Sequence, residues 1–111
     1  MRINLEAPNP RTAVLHLNGR LDLGCAASVK TSILQAVEDG QPFVVVDLEH
    51  VPFIDSSGLG ALIGGLRAAR AAGGDLRIAN AGPQARMILE LTTLDRVLTT
   101  HDTIEAALGS G

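Results

Sequence analysis

The stretch FVVVDLEHVPFIDSSGLGALIGGL, Phe43 to Leu66, changes its period halfway along. Phe43 to Leu48 is a continuous and largely β-branched run, the pattern of a strand buried on both faces as in a parallel sheet. Further on, Leu59, Leu62, Ile63 and Leu66 recur at the spacing of one helix face. Between the two lie Asp55, Ser56, Ser57 and Gly58, small or polar residues at a strand-to-helix junction. A buried strand that runs straight into a helix is the unit of an α/β fold, and the chain on either side is expected to repeat it.

Toward the N-terminus, Ile3 and Leu5 alternate with Arg2, Asn4 and Glu6, which predicts a short half-exposed strand. Ala7 to Pro10, with two prolines flanking an Asn, reads as a turn. TAVLHLNG follows as a second strand with Ala13, Leu15 and Leu17 on one face, so the first two strands are expected to form an antiparallel hairpin. Cys25, Val29, Ile33 and Val37 then recur every four residues and predict a helix from Cys25 to Glu38, stopped by Gly40 and Pro42.

Toward the C-terminus, the helix after Ser57 is expected to end near Ala72, before Gly73 and Gly74. Asp75 to Asn80 reads as a strand. Gln84 to Leu91 reads as a helix starting after Pro83, with Met87, Ile88 and Leu91 toward the core. Asp95 to Thr100 reads as a short edge strand, and Asp102-Thr103-Ile104-Glu105 has the form of a capping box opening a last short helix. The Gly-Ser-Gly tail after Leu108 is expected to fray. The order β-β-α-β-α-β-α-β-α implies one domain over residues 1–111, an α/β fold with a mixed, mostly parallel sheet of about five strands and about four helices.

Composition narrows the function classes. The 111 residues carry a net charge of −3, one lysine (Lys30), no Trp or Tyr, and only Phe43 and Phe53 as aromatics. A basic footprint and stacking aromatics for nucleic acid are both missing. The single cysteine, Cys25, forms no internal disulfide framework or multi-cysteine zinc site and reads as a small apolar residue of the first helix. No signal peptide is expected after Arg2, and no run approaches the roughly 20 apolar residues of a membrane span, so a cytoplasmic location is expected.

The junction itself resembles several catalytic half-motifs. Gly58-Leu59-Gly60 suggests a dinucleotide loop, but the position three after Gly60 is Ile63, and there is no phosphate-loop lysine. A nucleophile elbow needs glycines two before and two after its serine, and Ser56 and Ser57 are preceded there by Ile54 and Asp55. His16, His50 and His101 lie on separate elements, which supports neither a catalytic base nor a metal site. No catalytic residue, metal or cofactor is therefore expected. One of Asp55, Ser56 and Ser57 is expected to cap the helix, leaving a hydroxyl to spare at a helix N-terminus that tolerates an anion. Gly60, Gly64, Arg67 and Ala71 form a small-residue stripe opposite the leucines, either for close packing against a neighbouring helix or as a smooth face for a partner.

The segment FIDSSGLGALIGGLRAAR resembles the signature of STAS domains, and most closely the bacterial anti-sigma factor antagonists. LNGRLDL (Leu17 to Leu23) resembles the family's Gly-x-Leu-Asp segment, VVVDLEHVPFIDSSGLG its central strand and phosphorylation loop, and ARMILELTTLDRVL its third helix and last strand. The resemblance implies a STAS fold and a partner switch. The unphosphorylated antagonist binds an anti-sigma factor that is also a serine kinase, and so frees a sigma factor for RNA polymerase. Phosphorylation of the serine after the motif aspartate, Ser56 here, turns binding off, and a PP2C-type phosphatase restores it. It further implies that Ser57 is a helix cap, that Asp22 lies beside the phosphorylation loop, and that Asp22, Asp55, Ser57, Gly58, Gly60, Gly64 and Arg67 form the partner surface of a monomer. Many relatives carry Gly at the end of the third helix, where this chain has Thr93. The alternative is a non-switching STAS subunit of a transporter or a stress-signalling assembly.

Overall fold

A computed structural model describes residues 1–109, so Ser110 and Gly111 of the expected frayed tail lie outside the described residues. The elements are β1 (Arg2–Asn9), β2 (Thr12–Asn18), α1 (Ala26–Glu38), β3 (Phe43–His50), α2 (Ser56–Ala71), β4 (Asp75–Ala79), α3 (Pro83–Leu91), a 3-10 turn (Leu94–Arg96), β5 (Thr99–His101) and α4 (Ile104–Gly109). They make one five-stranded sheet in the order β1-β2-β3-β4-β5, with β1 antiparallel to β2 and every other neighbour parallel.

Each parallel strand is laid down beside the one before it. Right-handed crossovers that always step in the same direction put their helices on one face of the sheet. Accordingly α1, α2 and α3 share a single core through Val29, Ile33, Leu59, Leu62, Leu66, Ala85 and Leu89, packed on Leu15, Val46 and Ile78. Only α4 covers the other face, where Ala107 and the half-buried Ile104 meet Val14, Val45 and Ala79. β2 and β3 are therefore largely buried on both faces, with His16 and Asp47 as the paired polar positions on the α4 side.

Several sequence-based expectations change at the edges. Ala7 to Asn9 belong to β1, and the turn shrinks to Pro10 and Arg11. The register shifts between Glu6 and Asn9, so Pro8 sits in a bulge of an edge strand, where its missing N–H breaks no ladder. Cys25 precedes α1 at its N-cap, and its thiol donates to the Arg20 carbonyl at 3.1 Å. On α3 the buried residues are Ala85 and Leu89, while Met87 and Leu91 face solvent and Ile88 is half-buried. The strand expected from Asp95 begins only at Thr99, because the chain first makes the 3-10 turn and drops Leu98 fully into the core. The last helix is capped by Thr103, whose hydroxyl accepts the Ala106 N–H at 3.0 Å, in place of a box on Asp102 and Glu105.

Candidate functional site

The junction loop leaves the C-terminal end of β3, the end of a parallel sheet where ligand and partner sites gather. It is fastened on both sides. Toward β2, the Leu21 N–H donates to the Phe53 carbonyl at 2.9 Å and the Asp55 N–H to the Leu21 carbonyl at 3.2 Å. These two bonds make a parallel bridge between Leu21 and Ile54. Gly19 allows the approach: its φ of +123° suits a residue without Cβ, and its N–H donates to the His50 carbonyl at 3.0 Å. Toward α3, the Gln84 amide clamps Ile54, accepting its N–H at 2.8 Å and donating to its carbonyl at 2.9 Å.

Asp55 holds the centre. Its backbone is extended, and Oδ1 accepts the Gly58 N–H at 2.9 Å, which makes Asp55 the N-cap of α2. Oδ2 accepts the Leu23 N–H from the neighbouring loop at 3.1 Å. Ser56 and Ser57 are thus the first two helical residues, and the expectation of Ser57 as cap is replaced by Asp55, because Ser57 already lies inside the helix. Ser56 is exposed and Ser57 half-buried. No side chain among the described residues hydrogen-bonds either hydroxyl. His16 is held by Glu6 and Asp47, and His50 lies 3.9 Å from Glu49. Neither of these two histidines is hydrogen-bonded to a serine, so no serine–histidine pair of the hydrolase kind forms with them. The first N–H groups of a helix lack intrahelical partners, and an anion is favoured at such an end.

The structure sorts the remaining candidates. Asp22 lies between Leu21 and Leu23, whose backbones hydrogen-bond to Asp55; its own Oδ1 accepts the Gly24 N–H at 3.1 Å, and Oδ2 lies 3.7 Å from Arg20 Nε. Gly58 is buried, and a Cβ there would collide with the Leu21 carbonyl oxygen, so this glycine brings α2 against the β2 loop and offers no surface to a partner. The glycine stripe divides. Gly60 is exposed with open space over it, whereas Gly64 is half-buried beneath Lys30, whose Cε would lie 2.9 Å from a Cβ at that position. Gly64 thus lies under the flexible end of the Lys30 side chain, and Gly60 and Arg67 remain on the open face. Arg70 is taken up by Asp75 at 3.3 Å.

Sequence reasoning missed three contributors. Arg20 stacks over the Phe53 ring at 4.2 Å and braces the two loops against each other. Leu23 stands 77% exposed at the tip beside Asp55. Gln84 carries no pattern that would announce a clamp; only its position just after a helix-starting proline hints that its side chain can reach back. Among the described residues no group of His, Cys, Asp and Glu gathers to hold a metal ion, and no helix is long and apolar enough to cross a membrane.

The STAS domain family model matches residues 4–107. The anti-sigma F factor antagonist of Lysinibacillus sphaericus is 30% identical over 95 residues, covering 85% of this chain and 81% of that protein. A solved anti-sigma factor antagonist from Mycobacterium paratuberculosis superimposes with a TM-score of 0.85 at 27% identity, over 98% of this chain and 92% of that one. The Bacillus cell fate determinant SpoIIAA in its phosphorylated form gives a TM-score of 0.76 at 26% identity, over 98% of each chain.

Proposed function

The chain belongs to the STAS domain family, and on that premise we propose that it is an anti-sigma factor antagonist switched by phosphorylation of Ser56. In this reading one domain acts in the cytoplasm as a monomer. It binds an anti-sigma factor with serine kinase activity while Ser56 is free, releases it once Ser56 is phosphorylated, and is reset by a PP2C-type phosphatase. The chain is a substrate and a binding module, and carries no catalytic machinery of its own.

The observation that carries this reading is the state of Ser56: an exposed hydroxyl on the first turn of α2, unpaired, with the capping task already taken by Asp55. Phosphorylation there disturbs no hydrogen bond of the fold. It adds about −1.5 to −2 charges next to Asp55, enough to repel an acidic contact and to fill the space a close-fitting partner needs. Two relatives support the same direction, one named an anti-sigma F factor antagonist and one solved in a phosphorylated form.

The test is site mapping after incubation with ATP and a purified anti-sigma serine kinase. A single phosphate on Ser56, absent in Ser56→Ala, is expected. A phosphate on another residue, or none, contradicts the reading.

A further inference from the structure

On the sheet face left partly open by α4, His16 stands between two carboxylates. Its Nδ1 lies 2.8 Å from Asp47 Oδ2 and its Nε2 2.8 Å from Glu6 Oε1. Ionised carboxylates only accept, so both contacts are hydrogen bonds only when both ring nitrogens carry a proton. The imidazolium then ties three neighbouring strands, β1 through Glu6, β2 through His16 itself and β3 through Asp47.

The strand at the outer end of this tie is held by its ladder to β2 and buries few side chains. Of the β1 side chains only Ile3 packs on the core, and Leu5 is 58% exposed. The ladder to β2 is interrupted between Glu6 and Asn9, so Glu6 stands at the last regular pair before the bulge. Segments with few buried contacts open locally at low cost. We propose that His16 is a pH-operated clasp that holds the edge strand β1 against the sheet.

The two carboxylates are unequal, which decides what deprotonation releases. Asp47 is 5% exposed; its Oδ1 accepts from Asn80 Nδ2 at 2.9 Å and the Glu49 N–H at 3.0 Å, while Oδ2 has His16 as its partner. Glu6 is 61% exposed and can be solvated by water. A neutral imidazole keeps one proton. It stays toward Asp47, where an unpaired buried oxygen costs most, and Nε2 then turns a lone pair on Glu6. The bond to β3 survives and the bond to β1 becomes a repulsion.

Among the described residues His16 is the cation that ion-pairs with Glu6 and Asp47. Asn4 pairs with His16 in register, and Arg2 and Glu49 share its face further along β1 and β3. Asn80 arrives from the end of β4, His101 of β5 pairs with Ala79, and α4 brings Glu105. The hydrogen bonds that the ring donates to Glu6 first, and then to Asp47, hold the His16 pKa above its ordinary 6.5.

The test is residue-resolved amide exchange by NMR on the full chain, with rates divided by intrinsic chemical rates, alongside the His16 ring 15N titration. Raising the pH from 6 to 8.5 is expected to lower protection of the β1 amides about two- to fivefold relative to β3, the range for a half-exposed ion pair. Glu6→Gln, a surface change that leaves the core intact, is expected to abolish that dependence and to lower the His16 midpoint. A wild-type midpoint at or below 6.5, or β1 protection independent of pH relative to β3, overturns the proposal. So does an undiminished pH dependence in Glu6→Gln.

Discussion

Asp55 Oδ2 accepts the backbone N–H of Leu23 at 3.1 Å, across two loops that share no other side-chain hydrogen bond among the described residues. Its other oxygen caps α2 through Gly58. One carboxylate therefore fixes the first turn of the helix and the position of the neighbouring loop together. Asp55→Ala is expected to lose both, at about 1–3 kcal/mol, a cap plus a charge-assisted bond. Asp55→Asn keeps an acceptor for the cap and is expected to cost less. Urea unfolding of the three proteins checks the order, and equal midpoints contradict it.

Two glycines two residues apart are expected to respond in opposite ways. In Gly58→Ala the new methyl group meets the Leu21 carbonyl and lies 2.8 Å from Leu21 Cγ, which forces α2 away from the β2 loop. A loss of about 1–3 kcal/mol is expected. Gly60→Ala meets nothing within 4 Å on an exposed helix interior and is expected to gain about 0.5–1 kcal/mol. Denaturant midpoints of the pair decide the matter.

Thr93 takes φ +58° and ψ 14° just after α3. A β-branched residue pays about 1–2 kcal/mol in this left-handed region, and a glycine pays nothing sterically. Thr93→Gly is expected to raise stability by about 0.5–1 kcal/mol once the greater unfolded-state freedom of glycine is subtracted. A higher Tm by calorimetry, with an unchanged fold by NMR, is the expected result. A lower Tm would mean that the Thr93 hydroxyl bond to the Thr92 carbonyl at 2.6 Å outweighs the strain.

Stability should vary with pH through His16 and Asp47. The His16 pKa is raised, so its contribution is complete below 6.5 and is lost as pH rises through the folded value. For Asp47, burial opposes the charged form, but hydrogen bonds from Asn80, His16 and the Glu49 backbone outweigh it and depress the pKa below 3.8. Its contribution is complete above 3.8 and is lost as pH falls through the folded value. The two overlap fully between 3.8 and 6.5. Urea midpoints measured across pH are expected to fall on both sides of that window, and His16→Gln is expected to flatten the alkaline side.

The fold was legible wherever burial repeats with one period. Val44 to Leu48, Leu59 to Leu66 and the stripe through Val29 and Ile33 lie where the pattern puts them. Legibility failed where two patterns compete. On α3, Ala85 with Leu89 and Met87 with Leu91 both stand four apart; the bulkier pair draws the eye, but the smaller one is buried. At Asn9 and at Thr93 the deciding feature is a backbone state, a bulge in one case and a left-handed residue in the other, which side-chain type alone does not announce. The junction was legible as a polar loop between a strand and a helix, Asp55-Ser56-Ser57-Gly58. The division of labour within it was not, because cap, close approach and exposed hydroxyl depend on where Leu21 and Leu23 lie, more than thirty residues away in the chain.

The most direct measurement is binding of the purified anti-sigma kinase, by calorimetry, to three forms of the chain: unmodified, Ser56→Ala, and phosphoserine installed at position 56 by genetic encoding. Tight binding by the first two and a loss of about tenfold or more for the phosphorylated form is the predicted result, the effect of one desolvated charge at an interface. Equal affinity in all three, or binding only when Ser56 is phosphorylated, would contradict the switch.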